Sequence, residues 1–152
     1  GAEKNPMVQS IYQAAKEEGA QAVIVSAKVE EDLASLTDEE RTEFLQELGL
    51  KEAGLERLVK ASYDLLGLFS FLTAGPKEVR AWTIEKGTKA PQAAGKIHSD
   101  FEKGFIRAEI VTYDDLVECG GFNQAKEKGK VRSEGKDYVF KDGDVALFRF
   151  NV

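Results

Sequence analysis

Five short segments after residue 67 are rich in aromatic and β-branched residues, the types that favour β-strands. The first two flank turn-forming residues at 75–77 and predict a hairpin. The third, "FIRAEIVTY", follows a short helical segment, "APQAAGKIH". The last two surround the Asp-Gly-Asp turn at 142–144 in "KDYVFKDGDVALFRFNV". One helix laid across a mixed sheet in this order predicts an α+β fold, the ubiquitin-like β-grasp, over residues 68–152.

The third strand segment predicts two distinct faces, because successive side chains of a strand point to opposite sides of a sheet. We expect an apolar set of three residues to face the helix and the alternating set to face away. The two sets are Ile106, Ala108 and Ile110, and Phe105, Arg107 and Glu109.

Residues 1–67 predict a mainly helical segment with one strand. Asn5 and Pro6 are typical of a helix start, and Thr37 and Glu40 have the spacing of a capping box. The consecutive apolar residues 23–25 indicate a strand that is covered on both faces. A single strand leaves its backbone groups without partners. We therefore expect residues 1–67 to be the tail of a larger α/β domain and residues 68–152 to be a separate domain.

The charge distribution argues against a strongly basic nucleic-acid binder. Residues 1–67 carry seven Lys/Arg against fourteen Asp/Glu, a formal charge of −7, whereas residues 68–152 carry fourteen against thirteen, or +1. Any contact with RNA must therefore come from local clusters of cations. The sequence has no apolar run long enough for a membrane span, and we expect neither a membrane partner nor sequence-specific DNA binding.

The sequence offers little for catalysis or metal binding. Cys119 is the only cysteine and His98 the only histidine, which argues against a Cys/His zinc site and favours a reducing, cytoplasmic compartment. His98 allows three interpretations: a general base, a metal ligand or a structural residue at a helix end. The structural one is favoured, because no nucleophile or further ligand accompanies it. We expect no catalytic residue and no metal site.

Two long stretches of the sequence support a resemblance to a known family. "LTAGPKEVRAWTI … APQAAGKIHSDFEKGFIRAEI" together with "EGKDYVFKDGDVALFRFNV" resembles the TGS domain, a β-grasp module. Among TGS domains, these stretches are similar in particular to the C-terminal region of the YchF family of Obg-like, ribosome-associated ATPases. Residues 1–67 look like the end of that family's G domain.

The resemblance implies that the longer parent protein binds and hydrolyses ATP or GTP with Mg²⁺, contacts the ribosome or its RNA in translation, and packs its TGS domain with the G domain. It also implies that the loop Ser26, Ala27 and Lys28 lies against the nucleotide base. The phosphate-binding pattern G-x-x-x-x-G-K-[ST] does not occur in the 152 residues. We therefore expect this chain alone to hold no cofactor and to hydrolyse no nucleotide.

By the same alternation, Arg80 shares a face of its strand with Trp82. Arginines interleaved with aromatic residues predict a candidate RNA surface, because cations contact phosphates and flat rings stack on bases. The alternative is that Trp82 belongs to the core and the arginines pair with Glu78, Glu109 and other acids. This alternative is favoured, because a lone tryptophan is usually mostly buried. Other lysines, at 96, 126, 128 and 130, are typical of solvated surface. The candidate contact residues are Arg80, Trp82, Lys103, Phe105, Arg107 and Arg149.

The sequence thus predicts a ribosome- or RNA-binding TGS region that couples this contact to the nucleotide state of the parent. The rival prediction is a protein–protein or regulatory β-grasp module that docks on the G domain and never contacts RNA. The acidic first part of the chain favours this rival.

Overall fold

The computed structural model describes residues 4–75 and 78–151. The chain divides into two compact units, Gly1–Leu66 and Gly67–Val152. Among the described residues, none of the helices has the length and apolar character that a membrane crossing requires.

The first unit is helical, as predicted. Its helices are α1 (Pro6–Glu17), α2 (Ala27–Ala34), α3 (Asp38–Glu47) and α4 (Gly54–Leu65). The predicted start signals are present: Asn5 accepts a hydrogen bond from the Met7 N–H, and Thr37 and Glu40 form a reciprocal capping box. A small core of Leu33, Leu45 and Ala53 joins α2, α3 and the start of α4.

The strand predicted at residues 23–25 is not formed, and residues 20–26 are irregular. The physical reason is the one anticipated from the sequence, since the described part of this unit holds no second strand to pair with it. Side chains satisfy some backbone groups instead. Arg57 donates to the Ile24 carbonyl at 2.8 Å, and the Glu30 carboxylate accepts from the Gly54 N–H at the start of α4 at 2.8 Å.

The second unit is a five-stranded sheet in the order β2-β1-β5-β3-β4, in which β1 and β5 are parallel and the other pairs antiparallel. The strands are β1 (Leu68–Ala74), β2 (Val79–Glu85), β3 (Phe105–Thr112), β4 (Arg132–Glu134) and β5 (Asp144–Phe150). The helices are α5 (Ala90–Ile97), α6 (Ser99–Lys103), α7 (Tyr113–Cys119) and α8 (Phe122–Glu127). The β-grasp prediction is confirmed.

The predicted first hairpin is present, with β1 and β2 paired from Leu68↔Glu85 to Ala74↔Val79. Of its predicted turn, residues 76 and 77 lie outside the described part of the chain. The main core lies between the sheet and α5, whose Ala90, Ala93 and Ala94 are fully buried. Small side chains on α5 let the helix approach the aromatic residues of the sheet closely. We call this side of the sheet the α5 face, and the other side the open face.

The predicted facing of β3 is wrong at its start. Phe105 is 5% exposed and belongs to the core, whereas Ile106 is 53% exposed. The cause is an irregularity in the β3–β5 register, in which Phe105 pairs with Phe150 and Arg107 with Arg149. The extra residue on β3 forms a β-bulge, which reverses the alternation before it. Beyond the bulge, Ala108 and Ile110 face α5 as predicted.

The strand predicted directly before the turn at 142–144 is also wrong. Only Val139 makes an isolated bridge there, with Lys89, and the sheet instead gains the short edge strand β4. Side-chain contacts hold the irregular segment in place: the Tyr138 hydroxyl donates to the buried Asp144 carboxylate at 2.7 Å, and Lys89 pairs with Asp137 at 2.9 Å. The predicted turn at 142–144 is present, with Gly143 at φ 77°.

Candidate nucleic-acid interface

The six predicted contact residues do not form one surface. Arg80 and Trp82 pair with β1 residues on the α5 face, whereas Arg107 and Arg149 stand on the open face. Phe105 is buried in the core and cannot stack on a base, which corrects that prediction. Lys103 ends α6 and is exposed. The candidate RNA surface predicted from the sequence therefore separates into two sites on opposite sides of the sheet.

On the α5 face, the Trp82 ring is partly buried and committed to intramolecular contacts. The Arg80 guanidinium lies over the ring at 4.2 Å from its centroid, and the indole N–H donates to Thr73 Oγ1 at 2.9 Å. Arg80 also reaches the Glu78 carboxylate at 3.9 Å. These contacts agree with the alternative in which the tryptophan is core and the arginine pairs with an acid.

The α5 face also holds a groove with a volume of about 480 Å³. It opens where β1 ends at Ala74 while β5 continues to Phe150. Its walls are mainly apolar and include a stacked pair of rings, Phe101 and Phe150, whose centroids are 3.8 Å apart. This groove offers apolar contact rather than charge.

On the open face, three cations gather around one carboxylate. Glu109 accepts from Arg149 at 3.3 and 3.5 Å and from Arg107 at 3.5 Å, and Lys126 of α8 lies 3.6 Å away. The Glu109 side chain is 7% exposed, while the three cations are about half exposed. We call Arg107, Glu109, Lys126 and Arg149 the open-face cluster. With three positive groups and one negative group, it carries an excess of two positive charges.

The electrostatics of the cluster are those of a charged carboxylate. Burial disfavours its ionisation, but hydrogen bonding and charge from Arg149, then the charge of Lys126, then hydrogen bonding from Arg107 outweigh burial. The pKa of Glu109 is therefore held below its ordinary value. The carboxylate stays ionised at neutral pH and holds the three cations on one side of the sheet.

Sequence reasoning indicated one of the two residues that complete this site and missed the other. The pairing of the arginines with Glu109 agrees with the favoured alternative, whereas the interpretation of Lys126 as solvated surface did not place it at this carboxylate. The alternation Arg107-x-Glu109 on β3 was a usable signal, because residues two apart share a face. The arrival of Lys126 was not predictable, because it depends on how α8 packs through Ala125 against Val111 and Val145.

The loop predicted to contact a nucleotide base forms the start of α2. Ser26 is the N-cap, with its hydroxyl accepting from the Val29 N–H at 3.4 Å, and Ala27 is the first helical residue. Lys28 pairs with Asp32 at 2.9 Å and with Glu31 at 3.3 Å. The base-contacting role belongs to the longer protein and stays a prediction.

The expectation that this chain alone holds no magnesium nucleotide stays a prediction. The phosphate-binding glycine-rich pattern is missing from the sequence, and the described residues contain no group of three or more His, Cys, Asp or Glu that could hold a metal ion. His98 links α5 to α6, and its Nδ1 accepts from the Asp100 N–H at 3.2 Å. It acts as a structural cap, although on the helix that follows it.

The fold and the open-face cluster define a β-grasp domain with a helical unit before it. Residues 68–151 match the family YchF-GTPase_C, described as "Protein of unknown function (DUF933)". The chain is 57% identical over its full length to the ribosome-binding ATPase YchF of Escherichia coli O157:H7, and 58% identical over 97% of its length to that of Bacillus subtilis. It is 50% identical over 88% of its length to Obg-like ATPase 1 of Pongo abelii.

Solved structures agree with these sequence matches. The Schizosaccharomyces pombe YchF GTPase superposes with a TM-score of 0.80 at 39% identity, over 96% of this chain and 39% of that one. A GTP-binding protein from Pyrococcus horikoshii, at 17% identity and a TM-score of 0.63 over 97% of this chain and 43% of that one, shares the fold. The chain belongs to the YchF family of Obg-like ATPases. It spans 42% of the length of the E. coli relative, 40% of the B. subtilis relative and 34% of the Pongo abelii relative.

Proposed function

We propose that this chain is the ribosome-binding part of a YchF-type nucleotide hydrolase, and that it contacts ribosomal RNA through the open-face cluster. The observation that carries this proposal is the gathering of Arg107, Arg149 and Lys126 around a single carboxylate. Half-exposed cations with an excess of positive charge are suited to RNA phosphates. The printed names of the relatives, ribosome-binding ATPases, support the same role. A ribosomal partner implies a cytoplasmic location.

In the whole protein, hydrolysis of ATP or GTP with Mg²⁺ would lie in the part that these 152 residues do not contain. The helical unit, with its loop at Ser26–Lys28, would be the end of the G domain. The β-grasp unit would contact the ribosome and thereby couple that contact to the nucleotide state.

The experiment is co-sedimentation of the chain with ribosomal subunits across a range of salt concentrations. Arg107→Gln and Arg149→Gln should each weaken binding, because each removes a cation from the open face. Arg80→Gln is the matched control, since it removes the same charge from the opposite face. Absence of enrichment over an unrelated β-grasp protein would contradict the proposal, as would equal losses in all three variants.

The second candidate is a protein–protein or regulatory module that docks on the G domain without touching RNA. The apolar groove of the α5 face favours it, because its walls hold exposed aromatic surface with little charge. Binding of this kind depends weakly on salt, whereas phosphate contacts lose affinity steeply as salt rises. The salt series therefore separates the two candidates.

A further inference from the structure

A small pocket on the open face lies between β3, β4 and α8 and has a volume of about 240 Å³. Glu109 lines it, with Ser133 directly opposite in the β3–β4 register. Arg107 and Lys126 stand at its sides. The pocket is smaller than the range of roughly 300–1,000 Å³ typical of sites for drug-sized ligands, so it suits a single small group.

The side chains around this pocket have hydrogen-bond donors that are available to a ligand. Within the part of the chain that the structure describes, Arg107 and Lys126 have no acidic partner other than Glu109, and their contacts to it are long, 3.5 and 3.6 Å. A guanidinium carries five N–H donors and an ammonium three, so most of theirs remain available. The Ser133 hydroxyl is exposed and has no hydrogen-bond partner among the same residues.

Arg132 also lines the pocket but is committed elsewhere. It pairs with Ile110 in the register, which points it to the α5 face, and its guanidinium reaches Glu134, Asp144 and the Tyr138 hydroxyl. The available cations are therefore Arg107 and Lys126, with Arg149 on the same carboxylate. One negative charge against three positive charges selects an anion.

We propose that this pocket binds one backbone phosphate of RNA. Arg107 and Lys126 contact the phosphate oxygens, Ser133 donates its hydroxyl proton as a hydrogen bond, and Glu109 is a positioning residue that holds the two cations at the pocket. Phosphate suits the site because it presents several acceptor oxygens to donors that converge from three elements. The inference rests on the proposed function and gives it a specific subsite.

The test is filter binding of ribosomal RNA to the 152-residue chain over a salt series, with Lys126→Gln compared with Lys128→Gln. Lys128, at the end of α8, is exposed and is not among the pocket residues. Each variant removes one positive charge, so the two change the net charge equally. For Lys126→Gln we expect affinity to fall roughly tenfold and the slope of log K against log salt to become shallower by about 0.7–0.9, as for one lost phosphate contact. Lys128→Gln should bind like the unmodified chain.

Ser133→Ala supplies a second, independent readout. Because a hydroxyl carries no charge, this variant should weaken binding a few-fold without changing the salt slope. Thermal unfolding of each variant shows whether it folds. Equal behaviour of Lys126→Gln and Lys128→Gln would overturn the subsite even when the unmodified chain binds RNA.

Failure of the proposed function is distinguishable from failure of the subsite. If the unmodified chain binds no ribosomal RNA, the proposed function is wrong, and a titration with inorganic phosphate followed by NMR decides the pocket. Saturable shifts of the Ser133 amide that disappear in Lys126→Gln would keep the anion site but overturn RNA as its source. Absence of shifts would overturn both.

Discussion

Arg107 of β3 and Arg149 of β5 stand directly opposite each other in the strand register, with both guanidiniums turned to the Glu109 carboxylate. Like charges in this position destabilise a strand pair. The carboxylate offsets that repulsion, because it lies within 3.5 Å of both. The arrangement therefore places two repelling arginines in one strand pair and at the same time leaves a positively charged surface that can bind an anion.

Glu109→Gln should destabilise the β-grasp unit. The substitution keeps the shape of the side chain but leaves Arg107, Arg149 and Lys126 without their shared counter-charge. We expect a loss of about 1–3 kcal/mol in the free energy of unfolding at neutral pH. Urea unfolding measures it, with Glu78→Gln as the control for an exposed pair, where roughly 0.5 kcal/mol or less is expected. Equal effects of the two substitutions would contradict the role given to Glu109.

The same carboxylate should make stability depend on pH. The pKa of Glu109 is lowered in the folded state, so its contribution is complete above the ordinary pKa of about 4.3 and is lost as pH falls through the lower folded value. The difference in unfolding free energy between the unmodified chain and Glu109→Gln should be constant near neutral pH and shrink below about pH 4. A difference that stayed constant down to pH 3 would speak against a charged carboxylate.

The bulge at the start of β3 gives a paired test of facing. Phe105→Ala should cost about 3–5 kcal/mol, because it empties a position in the core. Ile106→Ala should change stability by only about 0.5 kcal/mol, because its side chain is largely in solvent. Chemical unfolding of both variants checks the prediction. The reverse order of effects would indicate regular alternation without a bulge.

Gly104 is constrained by a close backbone approach and not by its dihedral angles. Its φ is −89°, which other residues adopt, but a Cβ would collide with the Asn151 carbonyl oxygen. The Asn151 N–H also donates to the Gly104 carbonyl at 2.9 Å. Gly104→Ala should therefore cost about 1–3 kcal/mol.

Gly135→Ala is the control for this substitution, since a Cβ there meets nothing within 4 Å and φ is not positive. Thermal unfolding should show little change or slight stabilisation for the control. A Gly104→Ala variant as stable as Gly135→Ala would mean that the β3 and β5 ends are farther apart than described.

Short-range sequence patterns predict most of the fold. The features that were missed depend on packing between parts of the chain that are far apart in the sequence. The capping box at Thr37 and Glu40 depends on residues three apart, so spacing alone reveals it. The bulge at Phe105 depends on how β3 pairs with β5, a strand that lies far from it in the sequence, so no local pattern predicts it. The residue type of Val139 predicts a strand, but its segment forms only an isolated bridge with Lys89, and the side chains of Tyr138 and Lys89 add further contacts.

The candidate site was likewise predicted only in the part that depends on short-range patterns. Alternation correctly placed Arg107 and Glu109 on one side of β3 and correctly gave Arg80 and Trp82 a shared side of β2. It could not compare the two strands, because the sheet order inserts β1 and β5 between them. The strand order together with the register shows that the two pairs point in opposite directions.

The position of β5 has a consequence for biosynthesis. β5 is made after every other strand of its unit, yet it lies between β1 and β3 and links the two earlier pairs, β1–β2 and β3–β4. Until β5 emerges from the exit tunnel, those pairs have no shared ladder and leave aromatic residues uncovered. The nascent β-grasp unit therefore cannot complete its sheet, and remains prone to misassociation, until its central strand is available.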